Sequence, residues 1–480
     1  MSVSSRNPVW TLAIVSVGLM LATIDLFIVN VAFPTLEQNF RGVHLSTLSW
    51  VLNGYTIVFA ALLVPAGRVA DRTSLKQSFL AGVVLFTVGS ALCAAASGIG
   101  MLIGARLVQA TGAAVMIPSS LGLLLAAYPP ARRSAAVRTW AGMAGLSAAL
   151  GPVLGGLLVT LDWRWIFLVN VPVGLAALVL GVLRLPAPAP HREPLPDLLG
   201  ALALTAAISL VTLGLVKAPD WGWASATTSA TLAGALVLLV GFGLRSARHP
   251  HPIVEHGLLR VPTFALSTIA VLLFTASFAA LLLSILVWTQ TVWGWSALRT
   301  GLAFAPGPLM VPLFSIGVGK LAPRVGAGQL AALGCASFAL AGILRVLLVG
   351  LRADYLTAML PSAILSGVGV GLALPTLTAT ATASLPPERF ATGSAVVNMA
   401  RQIGYTLGVA VLIAVLGTAH TPAGELIAYR RGWWVAAGLA LAGAAVAALL
   451  IRRPAMHPAA ATERGRTAPA LPATTDTIGL

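Results

Sequence analysis

The fold class of this chain is indicated first by residues 10–33, WTLAIVSVGLMLATIDLFIVNVAF. This stretch is predominantly apolar, carries a single charged residue, Asp25, and is long enough for a helix to cross the roughly 30 Å hydrocarbon core of a bilayer. Its internal carboxylate, and the lack of a small-residue cleavage site before a polar domain, separate it from a secretory signal peptide. We expect it to remain as the first membrane span.

Similar apolar runs follow one another along the rest of the chain. Charged residues make up 9% of the 480 residues, against about 25% in a soluble domain. The sequence therefore predicts an all-α membrane protein with fourteen transmembrane helices. Read from hydropathy and loop punctuation, the spans lie near residues 10–33, 48–67, 78–97, 101–127, 137–160, 164–184, 197–217, 225–245, 264–289, 298–320, 327–348, 356–380, 393–418 and 431–452.

The net charge of +16 reflects membrane topology and not nucleic-acid binding. Lys and Arg residues occur in short loops between apolar runs instead of forming one basic face. About 19 of the 29 would lie on the side that holds both termini and about eight on the other side. By the positive-inside rule we expect both termini in the cytoplasm. The Ala-, Gly- and Arg-rich composition indicates a GC-rich bacterium, so we expect the protein in a bacterial cytoplasmic membrane.

Two loops that each follow the second span of a six-helix half indicate an internal repeat. GRVADRTSLKQ (67–77) aligns with GKLAPRVGAGQ (319–329) at an offset of 252 residues, although chance similarity among Ala-, Gly- and Leu-rich helices is an alternative. The seventh and eighth spans have no counterpart, so we interpret the chain as a 6+2+6 arrangement with two six-helix bundles around a central cavity. The predicted segments are an N-terminal bundle (1–184), two inserted helices with their linkers (185–263), a C-terminal bundle (264–453) and a disordered cytoplasmic tail (454–480).

Asp25 is the one acidic residue deep inside a predicted span. A carboxylate in hydrocarbon is costly and is a functional candidate by default, because it can take up a proton on one side and release it on the other. We predict that Asp25 is a proton-coupling site. The alternative is a structural carboxylate that an arginine on a neighbouring helix neutralises.

Arg106 is a basic residue inside the fourth span, and Gln109 continues its helical face. A buried arginine must be paired or hydrated. We predict that Arg106 tunes proton release from Asp25 or contacts a substrate, and that Gln109 faces the substrate cavity. A purely structural arginine is the alternative.

The thirteenth span carries a second polar face. Asn398, Arg401, Gln402 and Tyr405 fall at positions i, i+3, i+4 and i+7 of an otherwise apolar helix. Polar side chains are unfavourable beside lipid, so we expect this face to line the central substrate cavity.

Small residues and a proline mark the fifth span. Gly145, Pro152 and Gly156 share one side, and Gly151 and Gly155 form a second small-residue pair. Small residues let helices approach closely, and a proline bends the helix. The segment could seal one half against the other while it tolerates rocking, and plain packing is the alternative.

The loop between the second and third spans combines Gly67 and Asp71 with the basic residues Arg72 and Lys76. Asp71 could accept hydrogen bonds from exposed amides at the start of the thirteenth span, near residues 392–394. That contact would make a conformational latch. An ordinary topology-setting basic loop is the alternative.

These motifs resemble those of the major facilitator superfamily, in particular its fourteen-span drug:proton antiporter family, over about residues 8–453. The loop motif departs from the family pattern at Ser74 and Leu75, and Ala110 replaces a usual glycine. The matching stretches are GRVADRTSLK (67–76), ALGPVLGGLL (149–158), IDLFIVNVAFP (24–34), RLVQATGAA (106–114) and WRWIFLVNVPVG (163–174).

The resemblance implies a major facilitator fold and alternating-access efflux of drugs, dyes or antibiotics in exchange for protons. It adds Asn30 to the expected substrate cavity and gives the fifth-span motif the role that distinguishes exporters. Since no later span carries a carboxylate, neutral or aromatic cargo is at least as plausible as cationic cargo. An exporter dedicated to one metabolite or self-made antibiotic, or a uniporter or symporter, stays open.

Other protein classes lack their signatures in this sequence. A phosphate-binding GxxxxGK[ST] loop, an HExxH cluster and a nucleophile with a nearby base do not occur, so we expect no enzyme, no metal site and no cofactor. The outer loops are too short for a receptor domain. The expected partners are a small-molecule substrate, protons and the lipid bilayer, without nucleic acid, and the expected state is a monomer.

Overall fold

Fourteen long helices carry the fold. The computed structural model describes residues 8–40, 42–188, 197–385, 389–417 and 421–451, and within these ranges fourteen helices are long and apolar enough to cross a membrane. The predicted number of spans is confirmed. The helices are α1 (Pro8–Asn39), α2 (Trp50–Arg72), α3 (Leu75–Ala94), α4 (Ile99–Ala127), α5 (Pro130–Val159), α6 (Trp165–Leu168 and Asn170–Arg184), α7 (Leu198–Trp221), α8 (Ala226–Arg248), α9 (Pro262–Thr291), α10 (Ala297–Phe304 and Pro306–Val325), α11 (Ala327–Leu348), α12 (Leu360–Ala383), α13 (Phe390–Leu416) and α14 (Pro422–Ile451).

The loops start new helices with standard caps. The hydroxyls of Ser74, Ser225 and Ser296 accept hydrogen bonds from backbone amides three residues later, and proline occupies the first turn of α5 and α9. We call the side of the bundle at which α1 begins the near side and the opposite side the far side. The sequence predicts that the near side is cytoplasmic.

The two halves repeat the same close helix contact. On α3 and α4, a Cβ atom at Gly112 would lie 2.8 Å from the Gly82 carbonyl oxygen, and on α11 and α12, one at Gly369 would lie 2.8 Å from the Gly334 carbonyl oxygen. Gly82 and Gly334 are 252 residues apart, the offset that the sequence repeat predicts, and Gly112 and Gly369 are 257 residues apart. Only glycine permits backbones to approach this closely, so the repeat extends to its tightest packing contact.

The inserted helices α7 and α8 lie beside the junction of the two halves. α7 packs against α2 of the first half and α13 of the second, and α8 packs mainly against α7. The residues that join the three helices form a small apolar cluster, which we call the wedge cluster: Ile57, Ala60, Val64, Ala201, Leu204, Ile208, Ile253 and Met399.

Polar contacts fix the insertion at both ends. Asp197, almost fully buried, accepts from the Arg245 guanidinium at 2.8 Å. Burial favours the neutral acid, but hydrogen bonds from Arg245 and from the Gly200 amide outweigh it and lower the pKa of Asp197. On the far side, Lys217 donates to Ser46 of the turn before α2 at 2.8 Å.

A charged cluster joins both halves on the near side through the linker that follows α8. Glu255 lies 3.9 Å from Arg68 at the end of α2 and 3.9 Å from Arg389 at the start of α13. Arg68 also donates to the Pro252 carbonyl oxygen at 3.1 Å. The predicted tail, 454–480, lies outside the described residues, and the predicted segment boundaries stay predictions.

Candidate functional site

The centre of the first half contains a buried ion pair. Arg106 on α4 donates to a carboxylate oxygen of Asp25 on α1 at 2.5 Å, and both side chains are fully buried. Helical packing of apolar residues around them removes water from the pair. The sequence predicted a role for each residue, and the structure brings the two into direct contact.

Amide side chains complete the surroundings of the Asp25 carboxylate. Gln109 and Asn170 donate to its second oxygen at 2.8 and 3.2 Å. Both amides also donate to the Ser90 hydroxyl, at 2.7 and 3.1 Å. Gln109 accepts in turn from Arg106 at 2.7 Å. The carboxylate is therefore held by α4 and α6 and, through Ser90, linked to α3.

The Arg106 guanidinium is held on its other side by α2. Its Nε donates to the Val51 carbonyl oxygen at 3.1 Å, and the guanidinium carbon lies 4.2 Å from the centre of the Tyr55 ring. One terminal nitrogen, Nη2, has no hydrogen-bond partner among the described residues, and neither has the Tyr55 hydroxyl. This network, which we call the Asp25 network, joins five helices of one half.

A narrow cavity separates the two halves near their middle. Its volume is about 10 Å³, room for about one water molecule, whereas ligand sites occupy about 300–1,000 Å³. Beside it, the hydroxyls of Thr56 and Thr406 join α2 to α13 at 2.6 Å. An organic molecule would fit between these residues only if the halves separated here. The cavity is lined by Leu26, Asn30, Leu52, Thr56, Ala279, Leu282, Tyr405 and Val409.

The residues predicted for the substrate cavity fall into two groups. Asn30 and Tyr405 line the central cavity, and Arg401 lies one turn from Tyr405 on the half-buried face of α13. Asn398 shares that face and donates to the Ser394 carbonyl oxygen.

The second group lies off the cavity. Gln109 was predicted to face the substrate cavity, but its side chain belongs to the Asp25 network and is not among the residues that line the central cavity. Gln402 is buried, and its side-chain oxygen has no hydrogen-bond partner among the described residues. The structure thus divides the predicted cavity set between two environments.

The glycines of α5 are contact points with both halves. A Cβ atom at Gly151 would lie 2.5 Å from Cβ of Phe27, and one at Gly155 would lie 3.1 Å from Cα of Ile28, both on α1. At Gly156 it would lie 2.5 Å from the carbonyl oxygen of Ala297 on α10.

Pro152 of the α5 motif also contacts α10. The carbonyl oxygen of Pro152 occupies the space that a side chain on Gly301 of α10 would need. Gly145 lies in α5, but its surroundings are outside what the structure describes. α5 therefore meets α10 closely on the far side.

The loop motif lies on the near side. Gly67 packs against Pro118 of α4, Asp71 is half-buried and Arg72 is exposed. Lys76 donates to the carbonyl oxygens of Val182 and Leu185 at the end of α6, at 2.7 and 3.1 Å. These Lys76 contacts stay within the first half, and a latch between Asp71 and α13 stays a prediction.

Sequence reasoning missed three members of the Asp25 network: Ser90, Asn170 and Tyr55. Asn170 lies within the quoted family motif at 163–174, which gave a signal without a role. Ser90 and Tyr55 carry no such signal, because isolated hydroxyls are common in membrane helices. The buried Arg345 of α11 was also missed, although an arginine inside a span is itself a signal.

Comparison with known proteins gives a family match over most of the chain. Residues 15–409 match the model of the Major Facilitator Superfamily. A tetracenomycin C resistance and export protein of Streptomyces glaucescens is 35% identical over 66% of this chain, and the match spans 60% of that relative's length. A methylenomycin A resistance protein of Bacillus subtilis is 32% identical over 93% of this chain and 94% of its own length.

Solved structures resemble the fold at low sequence identity. A peptide transporter of the POT family, crystallised in complex with sulfate, is 19% identical to this chain with a TM-score of 0.67. The match covers 93% of this chain and 95% of that one. At this identity the likeness concerns the fold.

Proposed function

The chain belongs to the Major Facilitator Superfamily, a family of membrane transporters, and from this membership we propose that it exports small apolar or aromatic compounds in exchange for protons. The relatives named for antibiotic export and resistance support the direction of transport. The exchange for protons is our inference from the Asp25 network. Family and relatives are transporters and not enzymes, and the fourteen spans make this a multi-pass membrane protein.

The observation that carries proton coupling is the pairing of Asp25 with Arg106. Asp25 is the only acidic residue deep inside a span, and its charge is matched by one arginine. Protonation would neutralise the carboxylate and leave the buried guanidinium without its counter-ion. Since an uncompensated buried charge is strongly unfavourable, the helices that hold the pair would have to move.

The same helices form the wall of the central cavity. Leu26 is the neighbour of Asp25 in α1 and lines the cavity, and Asn30 lies one turn further. Arg106 is held by the Val51 carbonyl of α2, and Leu52 lines the cavity next to it. Proton uptake at the buried pair would therefore displace cavity-lining residues directly, which gives alternating access a mechanical link.

The entry of one proton per cycle provides enough free energy to export a neutral compound against a concentration gradient. An elementary charge that crosses the membrane contributes about 2.3 kcal/mol per 100 mV, which supports a concentration ratio of about 50-fold. We place the protein in a bacterial cytoplasmic membrane with the near side inside the cell, on the basic-residue asymmetry and the bacterial relatives. We also propose that it acts as a monomer.

Transport into inverted membrane vesicles tests the function. An imposed pH gradient should drive uptake of a lipophilic fluorescent dye together with proton release from the vesicles. Asp25→Asn should abolish both, because the amide cannot exchange a proton. Asp162→Asn is the matched control, since this acid lies in an exposed loop and should leave uptake unchanged.

Unchanged uptake by a folded Asp25→Asn protein would show that Asp25 is structural. Gel filtration in detergent establishes folding for each variant.

A second function, export of a single metabolite, is favoured by the names of the relatives. Both sequence relatives described above are named for one antibiotic each. A panel of unrelated dyes and antibiotics separates the two possibilities. Protection of cells against several unrelated compounds indicates a multidrug exporter, and protection against one chemical class indicates a dedicated one.

A further inference from the structure

Arg401, half-buried in α13, differs from Arg106 and Arg345, the two fully buried arginines in the described ranges. Arg106 is paired with Asp25. Arg345 donates to the Leu281 carbonyl oxygen at 3.0 Å and to the Ser362 hydroxyl at 3.3 Å. The Arg401 side chain, in contrast, makes no hydrogen bond or ion pair with any residue in the described ranges.

The depth of Arg401 within its span makes the lack of a partner for its charge significant. It is the twelfth residue of α13, so it lies about 17 Å along the helix from its near-side end, close to the middle of the membrane. A cationic side chain at this depth is costly and is by default a functional residue. Snorkelling to the interface is impractical from the centre of the helix.

The face that carries Arg401 is turned toward the junction of the halves. Tyr405 follows four residues later, hence on the same side of the helix, and lines the central cavity. Residues on other faces of α13 contact α9 through Gly404 and α2 through Thr406. Arg401 therefore lies one turn from the cavity, toward the near side.

Among the described residues, no carboxylate forms an ion pair with Arg401. Of the 13 acidic residues in the chain, only Asp25 lies deep within a span. Asp25 is fully buried in the first half and is already bonded to Arg106, Gln109 and Asn170. Within the described ranges Arg401 therefore has a charge that a ligand from outside the protein can neutralise.

Aromatic rings lie next to the unpaired charge. The Tyr405 ring meets Phe278 edge to face, with 5.7 Å between ring centres, and Phe278 meets Phe27 at 6.3 Å. Tyr405 and Phe278 are half-buried. The Tyr405 hydroxyl makes no hydrogen bond within the described ranges, so it is a second free donor beside Arg401.

We propose that Arg401 and Tyr405 bind the acid group of an aromatic organic anion, so that the transported substrates include aromatic carboxylates and phenolates. The inference rests on the proposed transport function and narrows its substrate class. A guanidinium with a neighbouring hydroxyl matches a carboxylate with charge-assisted hydrogen bonds. The half-buried rings of Tyr405 and Phe278 offer apolar surface to the aromatic part of the substrate, and Phe27 supports Phe278 from behind.

Equilibrium binding without a proton gradient tests the proposal. The purified protein in lipid nanodiscs is titrated calorimetrically with 2-naphthoate, neutral 2-naphthamide and cationic 2-naphthylmethylammonium, which share one ring system. The wild type should bind the anion about ten- to hundredfold more tightly than the amide, and the cation weakest. The same three probes are applied to every variant.

Arg401→Gln should reduce 2-naphthoate affinity by about tenfold or more and leave 2-naphthamide affinity unchanged, because only the charge-assisted contact is lost. Arg401→Lys should retain part of the preference. Arg352→Gln, a change at an exposed loop arginine, is the matched control and should behave as the wild type.

Equal wild-type affinity for the anion and the amide overturns the proposal, and this readout needs no variant to fold. Equal loss of both ligands in a folded Arg401→Gln protein also overturns it, since Arg401 would then be structural. Failure of the export function has a different signature: binding selectivity for the anion would persist while gradient-driven dye uptake is absent.

Discussion

At the scale of residues, few charged side chains lie deep inside the described spans. Asp25 and Arg106 neutralise each other in the first half. Asp25 also accepts from the Gln109 and Asn170 amides, and Arg106 also donates to Gln109 and to a backbone carbonyl. A buried pair contributes little net stability, but loss of one partner leaves an uncompensated charge. The pair is therefore a better switch than a structural element.

Removal of Arg106 alone should destabilise the protein strongly. Arg106→Ala leaves the Asp25 carboxylate buried without a counter-ion, which costs about 3–5 kcal/mol. The double variant Asp25→Asn/Arg106→Gln removes both charges and should recover most of that loss. Unfolding midpoints in an SDS titration measure the difference.

Arg164→Gln is the control for this prediction, because its pair with Asp162 is exposed and contributes about 0–1 kcal/mol. If the double variant were as unstable as Arg106→Ala, the cost would come from lost packing and the charge argument would be wrong.

The sequence revealed the charged members of this site but not its complete shell. An acid or an arginine inside a span is conspicuous because each is costly there. Ser90, Asn170 and Tyr55 are ordinary in a membrane helix, and only the packing of α3, α6 and α2 brings them to the ion pair and its amide partners. Gln109 shares a helical face with Arg106, yet periodicity alone does not say whether that face meets the cavity or another helix.

At the scale of helices, the close approach of α5 and α10 joins the halves on the far side. Gly156 and Gly301 leave room for backbone atoms of the opposite helix. Sequence patterns predicted the existence and approximate limits of all fourteen spans, because apolar runs and capped loops are local features. They did not predict that α5 meets α10 here, since that contact depends on the arrangement of the halves.

Gly156→Ala should weaken closure on the far side. Its methyl group would overlap the Ala297 carbonyl, and overpacking of this kind costs about 1–3 kcal/mol. The ratio of closed to open molecules would fall by about ten- to hundredfold. A cysteine at position 30, in a background without Cys93 and Cys335, should then react correspondingly faster with an impermeant maleimide added from the far side.

Gly142→Ala on the same helix is the matched control, because a Cβ atom there meets nothing within 4 Å. Equal labelling rates in the two alanine variants would show that the Gly156 contact does not control closure.

At the scale of the whole molecule, substrate charge decides how the membrane potential acts on transport. For one proton taken in per cycle, export of a neutral compound moves one net charge, and export of a monovalent anion moves two. A potential of 100 mV should thus support accumulation of about 50-fold for 2-naphthamide and about 50-fold more for 2-naphthoate.

Proteoliposomes with a potassium diffusion potential and no pH gradient measure this ratio. Equal accumulation of the two compounds would contradict the expected charge balance, and equal potassium concentrations on both sides, which abolish the potential, are the control.

The wedge cluster limits the routes by which lipophilic compounds can reach the protein from the membrane. Two seams run between the halves, one along α2 and α13 and one along α5 and α10, and α7 covers the first with the wedge cluster. In the described ranges no inserted helix covers the second. Compounds dissolved among the acyl chains would therefore meet an uncovered helix seam on one flank only, so the two flanks of the transporter differ within the plane of its own bilayer.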